Sequence, residues 1–210
     1  MSELSLITIS GPSLTGKSKL AEILKPFGFD EVVSTTTRPA RKGEVNGVNY
    51  HFVTPEQFKE MIKNDQLIEY ALVGDNYYGT SRQSLEEVFK KGKNGVSVVE
   101  PQGAQNIGIY CNKNSINVYQ VFINNDLDTL LKRFLQRFKD DNKADINTYA
   151  RRLTDMNTLE RKEWVEKALN GEHHYDKIFD NFVIENEKDV AQDLIKSLDK
   201  KIKKNHKVGL

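Results

Sequence analysis

Residues 11–18 read GPSLTGKS, and their arrangement is typical of a loop that binds phosphate. Gly11, Gly16, Lys17 and Ser18 match the pattern G-x-x-x-x-G-K-[ST]. The glycines let backbone N–H groups turn toward phosphate oxygens, the lysine adds a positive charge for the outer phosphates, and the last hydroxyl can bind Mg²⁺. The segment therefore predicts a loop that binds the phosphates of a nucleotide.

The segments on either side of this loop decide between a phosphate loop and an ordinary glycine-rich turn. LSLITIS precedes it and is typical of a buried strand, and KLAEILK follows it with a helical pattern. A strand–loop–helix order brings the positive end of a helix to the same phosphates. This setting favours the phosphate loop.

A second set of cationic residues follows in the sequence. Arg38 and Arg41 lie three residues apart in an extended, proline-containing segment, and Tyr50 comes soon after. Guanidinium forks match phosphate oxygens two at a time, although two loop arginines on their own are usually solvated. In a chain with a phosphate loop they indicate a second, phosphorylated substrate.

The elements that position these residues alternate between strand and helix. Apolar runs predict strands at 5–10, 31–34, 96–100, 116–123 and 181–185, and helical patterns occupy 17–26, 81–91, 126–138, 146–170 and 187–204. Such alternation predicts an α/β fold in which helices flank a mostly parallel sheet, with ligands at the carboxyl ends of the strands.

Two segments depart from this alternation. Short apolar runs broken by glycines at 35–80 predict a small mixed or antiparallel lobe, with one helix that begins at Thr54, Pro55 and Gln57 as a capping box. The polar stretch FKDDNKADIN at 138–147 suggests a mobile flap. We therefore expect a single domain over 1–210, with a core at 1–34, 81–136 and 156–210, the lobe at 35–80 and a lid at about 137–155.

Composition excludes several classes of protein. The 31 basic and 30 acidic residues nearly cancel, so no overall charge points to nucleic acid. Cys111 is the only cysteine, which excludes an internal disulfide and fits a reducing compartment. No charged and apolar leader opens the sequence, and no apolar run approaches the roughly 20 residues that span a bilayer. We expect a cytoplasmic protein without a membrane or nucleic-acid partner.

The lobe carries a string that resembles the guanylate kinase family. The family pattern S-x-T-T-R-P-x-R-x-G-E-x-[ND]-G-x-[DN]-Y-x-F, then Glu and YYGT, is matched by Ser34, Thr36, Thr37, Arg38, Pro39, Arg41, Gly43, Glu44, Gly47, Tyr50, Phe52, Glu69, Tyr77, Tyr78, Gly79 and Thr80. The resemblance runs from residue 5 to about 200 and is most specific at 34–80. It implies a phosphate-loop fold with a GMP-binding lobe and a helical lid.

The resemblance also implies where the two substrates bind. It places ATP at Gly11, Pro12, Ser13, Leu14, Thr15, Gly16, Lys17, Ser18, Lys19 and Asn186, and GMP at Ser34, Arg38, Arg41, Glu44, Tyr50, Glu69, Tyr78, Gly79, Thr80 and Glu100. Among these, Arg38, Arg41, Tyr50 and Tyr78 correspond to ligands of the GMP phosphate, and Ser34, Glu69 and Thr80 to guanine-reading residues. A carboxylate suits guanine because it can accept from both N1 and N2, and Glu69 stands in an otherwise apolar strand where it needs a partner.

The expected catalytic residues are Lys17 and two lid arginines, Arg137 and Arg152, with Arg133 and Arg151 as weaker candidates. Mg²⁺ is the implied cofactor, held by Ser18 and, through water, by Glu100. Cationic clamps of this kind contribute roughly three to five orders of magnitude to phosphoryl transfer.

The chain departs from the family pattern at several positions. Leu14 stands where the family usually has Gly, and Lys19 where it has Thr. Glu100 replaces the Asp at the end of a strand, and the segment between the lid arginines is longer than the common form. These departures bear on acceptor specificity and on the lid.

The leading hypothesis is Mg²⁺-dependent transfer of the ATP γ-phosphoryl group to GMP or dGMP by a monomer or a homodimer. Two alternatives stay open at this point: a non-catalytic binding module of the same fold, and a kinase for another small phosphorylated acceptor. Lys17, Ser18, Arg38 and Arg41 count against the module, and Glu69 and Thr80 against another acceptor.

Overall fold

A computed structural model describes residues 4–140, 159–180, 182 and 187–208. The strands are β1 Ser5–Ser10, β2 Phe29–Glu31, β3 Thr35–Thr36, β4 His51–Phe52, β5 Leu67–Val73, β6 Asn76–Ser81, β7 Asn94–Val98, β8 Asn117–Ile123 and β9 Lys177–Phe179. The helices are α1 Lys17–Leu24, α2 Pro55–Lys63, α3 Arg82–Lys90, α4 Pro101–Lys113, α5 Leu127–Asp140, α6 Leu159–Leu169 and α7 Glu187–Val208, and a 3₁₀ turn spans Lys25–Phe27.

The larger sheet has five strands in the order β2-β7-β1-β8-β9. Its pairs β2–β7 and β8–β9 are parallel, and all six residues of β1 are buried. Continuous apolar strands are expected when both faces of a parallel sheet are covered. The predicted α/β fold with helices around a parallel sheet is confirmed.

The smaller sheet has four strands in the order β4-β3-β6-β5. Strand β3 pairs with β4 in parallel and with β6 antiparallel, and β5 pairs antiparallel with β6. This is the predicted mixed lobe. Helix α2 begins with the predicted capping box, since Thr54 Oγ1 accepts from the Gln57 N–H at 3.2 Å and Gln57 Oε1 accepts from the Thr54 N–H at 2.8 Å.

The chain divides into two compact units, each with its own buried cluster. The first unit comprises Met1–Thr8 and Leu24–Val118, and its cluster includes Leu6, Leu85 and Ile107. The second comprises Ile9–Ile23 and Tyr119–Leu210, and there Leu14 and Leu131 pack against Leu130 and Phe134.

Of the strand predicted at 181–185, the structure describes residue 182 alone, and that residue is in no strand. A strand that was not predicted, β9, lies at Lys177–Phe179, with Val121 opposite Lys177. Asp176 sets this register, since its N–H donates to the Gln120 carbonyl at 2.8 Å and its carboxylate accepts from the Gln120 N–H at 2.8 Å. Helix α5 continues to Asp140, so the first residues of the predicted flap are helical.

Of the lid predicted at about 137–155, residues 141–155 lie outside the described residues. Of the helix predicted at 146–170, the structure describes Leu159–Leu169. Within the described ranges, none of the helices is both long enough and apolar enough to cross a bilayer.

Candidate nucleotide-binding sites

The phosphate loop, residues 11–18, connects β1 to α1 and depends on two glycines. Gly11 has φ +136° and Gly16 has φ +101°, a region that side chains strongly disfavour. A Cβ at Gly11 would also overlap the carbonyl oxygen of Ile123. The glycines of the motif are therefore required by backbone angle at both positions and by close packing at the first.

Lys17 is folded over this loop. Its Nζ donates to the carbonyl oxygens of Gly11 at 2.6 Å and Pro12 at 2.9 Å, and the Thr15 hydroxyl donates to the same Pro12 oxygen at 2.9 Å. These contacts hold the ammonium group against the loop backbone. The loop thus keeps the positive charge of Lys17 beside its backbone.

Leu14 adopts a left-handed conformation with φ +66°, where the family usually has glycine. This conformation costs an L-residue roughly 1–2 kcal/mol, and the surroundings must offset it. The Leu14 side chain packs against the cluster of Leu130 and Phe134. Its carbonyl oxygen accepts from Arg133 Nη1 at 3.1 Å. The side chain and the carbonyl together hold the leucine in place.

Arg133 connects the phosphate loop to two other segments of the second unit. Besides Leu14, its guanidinium donates to Asn125 Oδ1 at 3.2 Å and to the Phe182 carbonyl at 2.8 Å, and Asn125 Nδ2 donates to that carbonyl at 2.9 Å. The resemblance made Arg133 a weaker lid candidate. The structure places it on the phosphate loop, a contact that sequence reasoning missed because it depends on tertiary packing.

The residues around the loop suit a magnesium ion held chiefly by substrate and water. Ser18 is exposed as the second residue of α1, and no other described residue forms a hydrogen bond with its hydroxyl. The described residues contain no group of three or more His, Cys, Asp or Glu side chains that could hold a metal. Mg²⁺ in kinases usually keeps several waters and binds substrate phosphates with few protein oxygens. Ser18 fits that donor set.

The arginine cluster, Arg38, Arg41, Glu44, Tyr50 and Tyr78, lies in the first unit. Arg38 and Glu44 form a two-bond ion pair at 2.9 and 2.8 Å, and their side chains are only 13% and 19% exposed. Glu44 Oε2 also accepts from the Arg41 N–H at 2.7 Å. Because Arg38 donates to it, the pKa of Glu44 lies below its usual range. Glu44 thus fixes both the Arg38 fork and the Arg41 backbone.

Aromatic rings complete this cluster. The Arg38 guanidinium lies 5.4 Å from the centre of the Tyr50 ring and 5.7 Å from that of Phe52, and the Tyr50 and Tyr78 rings are 6.0 Å apart. Burial raises the pKa of the Tyr50 hydroxyl. The Arg41 side chain is exposed, and in the described part of the chain nothing binds its guanidinium. In this cluster Glu44 holds the Arg38 guanidinium in place, and the exposed Arg41 guanidinium is available to a ligand.

The carboxylate site consists of Glu69, Thr80, Glu100 and Gly103, also in the first unit. Glu69 is 8% exposed on β5 and accepts from the Thr80 hydroxyl at 2.6 Å, its register partner on β6. Burial raises the pKa of Glu69, and the negative charge of Glu100 adds to the shift. Glu100 itself is exposed at the N-cap of α4. The site is a buried acceptor of hydrogen bonds with a second carboxylate near it.

The other predicted residues are placed as follows. Gly79 lies opposite Tyr70 in the β5–β6 pairing, and the Ser34 carbonyl accepts from the His51 N–H at 2.9 Å. Lys19 is exposed and pairs with Glu187 at 2.8 Å. Arg137 is exposed in the last turn of α5. Arg151, Arg152 and Asn186 lie outside the described residues.

Known proteins resemble this chain over most of its length. A family model described as guanylate kinase matches residues 3–204. The chain belongs to the guanylate kinase family. The resemblance inferred from the sequence is confirmed over nearly its whole length.

Individual members of the guanylate kinase family show the extent of the match. A guanylate kinase of Clostridium perfringens (strain SM101 / Type A) is 40% identical over 134 residues, which cover 63% of this chain and 61% of the relative. One from Mesoplasma florum is 36% identical over 188 residues, covering 86% of this chain and 57% of the relative. The aligned regions thus span about three fifths of these relatives.

A solved structure extends the similarity to three dimensions. The crystal structure of guanylate kinase from Anaplasma phagocytophilum is 27% identical, has a TM-score of 0.63, and matches over 96% of this chain and 87% of its own. The fold described above is therefore that of the guanylate kinase family.

Proposed function

We propose that this guanylate kinase family member transfers the γ-phosphoryl group of ATP to GMP or dGMP, giving ADP and the nucleoside diphosphate. The observation that carries the proposal is the buried Glu69 carboxylate, held by Thr80 in the same unit as the arginine cluster. A buried carboxylate without a partner is costly, and guanine offers it two N–H donors. The family and the names of the relatives support the same reaction.

On the donor side, the phosphate loop binds the ATP phosphates. The Lys17 ammonium, which lies against the Gly11 and Pro12 carbonyls, would move to phosphate oxygens that carry more negative charge. Mg²⁺, with the Ser18 hydroxyl as a protein ligand, neutralises charge on the phosphates when bound. Arg137 and Arg152 are proposed as lid arginines that contact the transferring group.

On the acceptor side, Arg41 and Arg38 bind the GMP phosphate, with the Tyr50 and Tyr78 hydroxyls. Glu44 acts through Arg38 rather than on the phosphate, since two anions repel and its carboxylate is already held by that guanidinium. Ser34, Glu69, Thr80 and Glu100 contact or surround the guanine, with Gly79 supporting the strand.

No general base is required. An oxygen of the GMP phosphate is already anionic and attacks the γ-phosphorus, the bond from that phosphorus to the bridging oxygen breaks, and ADP leaves with the electron pair. Alignment and charge neutralisation then supply the rate. A cytoplasmic location, and the absence of nucleic-acid or membrane partners, stay predictions from the sequence.

An acceptor panel tests the proposal. Release of ADP from ATP is measured with GMP, dGMP, AMP, UMP and CMP at millimolar concentrations. We expect turnover with GMP and dGMP and at least a hundredfold lower kcat/KM with the others, because the carboxylate would lose its paired donors. Absence of turnover with every nucleotide would favour a binding module, and equal turnover of AMP would favour another acceptor.

A further inference from the structure

Helix α4 approaches the Glu69 carboxylate so closely that a side chain at Gly103 would displace it. Gly103 is the third residue of α4 and is buried. A Cβ built on it would lie 2.7 Å from Glu69 Oε2, 3.1 Å from Cδ and 3.5 Å from Cγ. The first of these distances is shorter than a carbon–oxygen contact allows, so an added methyl group would have to displace the carboxylate.

The Glu69 side chain has little freedom to move away from such a methyl group. On its other oxygen, Oε1, the Thr80 hydroxyl donates a short hydrogen bond of 2.6 Å. Its backbone is held by the β5–β6 pairing, and a Cβ at Gly79 would lie 2.8 Å from the Glu69 carbonyl oxygen. Two glycines and one hydroxyl therefore enclose this residue, and Gly103 limits the position of the carboxylate itself.

Thr80 also favours the charged form of the carboxylate. Burial and the negative charge of Glu100 raise the pKa of Glu69, and hydrogen bonds from the Thr80 hydroxyl and the Thr80 backbone oppose this shift. A displaced carboxylate would lose these hydrogen bonds.

We propose that Gly103 is a positioning residue for acceptor recognition, which acts through Glu69 by keeping its carboxylate where two guanine N–H groups can donate to it. The inference rests on the proposed function. Gly103 makes no contact with the substrate in this proposal, and its role is to leave space. Any larger residue would move the carboxylate away from Thr80 and from the guanine edge.

The test is the variant Gly103→Ala. We expect its KM for GMP to rise about 10- to 100-fold, the loss typical of a misplaced charged hydrogen-bond partner, with the KM for ATP within about twofold of the parent. The ratio of kcat/KM for GMP to that for AMP should fall by a similar factor. Alanine is the better helix former by roughly 1 kcal/mol, so the helix itself should not be weakened.

Gln102→Ala is the matched control. Gln102 is the preceding residue of the same turn, it is exposed, and its amide contacts only Asn106 among the described residues, at 3.3 Å. We expect no change in either KM. A rise in the KM for GMP equal to that of Gly103→Ala would overturn the inference, because the effect would then belong to the helix end in general.

A second variant tests the contact directly. In a Glu69→Asp background the side chain is one methylene shorter, so the atoms that a methyl group at position 103 would meet are withdrawn. Adding Gly103→Ala to Glu69→Asp should then change the KM for GMP less than about threefold, a strong departure from additivity that identifies coupled neighbours. A purely structural role for Gly103 would give the same loss in both backgrounds.

The outcomes separate this inference from the proposed function. If the parent protein does not phosphorylate GMP, the proposed function fails. If the parent does so and Gly103→Ala has an unchanged KM for GMP, the positioning role fails. If only the single variant does not fold and the double variant does, the clash with Glu69 is supported. If neither folds, Gly103 serves general packing and the inference is overturned.

Discussion

The phosphate loop and the carboxylate site are built in opposite ways. The loop is one run of residues, 11–18, and its contacts are mainly to backbone atoms, as when Lys17 binds two loop carbonyls. The carboxylate site takes Glu69, Thr80 and Gly103 from two strands and a helix, and each contact needs one particular side chain or its absence. The loop carries a leucine at position 14 despite its φ of +66°, because neighbouring residues hold its side chain and its carbonyl.

The largest effect should come from removing the charge of the phosphate loop. Lys17→Ala is expected to lower kcat by at least about a thousandfold, because in the proposed function the lysine neutralises charge on the transferred group. GMP binding, measured by calorimetry on the folded variant, should stay within about threefold of the parent. An equal loss of GMP affinity would contradict the assignment of the two substrates to separate sites.

The next effect should come from neutralising the carboxylate site. Glu69→Gln keeps the shape but replaces one oxygen by a donor, so a guanine N–H faces another N–H. We expect the KM for GMP to rise roughly 10- to 100-fold, with little change in the KM for ATP. Steady-state kinetics with each substrate varied in turn will measure the two KM values separately. An equal change in both would argue against a guanine-binding role for Glu69.

The same variant should change how stability depends on pH. Burial raises the pKa of Glu69 in the folded protein, so its contribution to stability is complete below the unfolded pKa of about 4.3 and is lost as pH rises through the folded pKa. The Glu69→Gln variant has no carboxyl group at this position, so it does not lose this stability as pH rises. The free energy of unfolding of Glu69→Gln relative to the parent should therefore increase from acid toward neutral pH, as measured by urea denaturation.

Glu44→Gln should show the opposite dependence on pH with a smaller kinetic effect. Arg38 lowers the pKa of Glu44, so the stability that this carboxylate contributes is present above the unfolded pKa of about 4.3 and is lost as pH falls through the folded pKa. The Glu44→Gln variant has no carboxyl group at this position, so it should not lose this stability as pH falls. We expect its KM for GMP to rise about 3- to 10-fold, because Arg38 loses its two-bond partner. An unchanged KM would show that Arg38 needs no orienting carboxylate.

The smallest effect should come from Leu14. Leu14→Ala keeps the left-handed backbone strain and loses packing, whereas Leu14→Gly loses the same packing and releases the strain. We expect the glycine variant to be the more stable of the two by about 1 kcal/mol, which is roughly 2–4 °C in Tm for a chain of this size. If the alanine variant melts higher, the backbone at this position is not strained.

The features predicted correctly from the sequence are those with local causes. The connection from β1 to α1 at residues 11–18, the capping box at Thr54 and Gln57, and the alternation of strand and helix each depend on residues close together in the chain. Strand β9 was not predicted, because its position depends on pairing with β8 through Asp176. Leu14 was recognised as a departure, but its left-handed conformation and its support by Arg133 were not.

The family, the loop at residues 11–18 and the residue types proposed to bind phosphate and guanine follow from the sequence alone, since a short motif carries its own backbone geometry and charge. The groups that these residues contact follow from the tertiary structure, in which Arg133 holds the loop at Leu14 and Gly103 lies against Glu69. The cause is the separation of these residues along the chain. Contacts between residues tens of positions apart arise when strands and helices pack together. A local sequence pattern cannot show that a glycine such as Gly103 leaves space for a distant side chain.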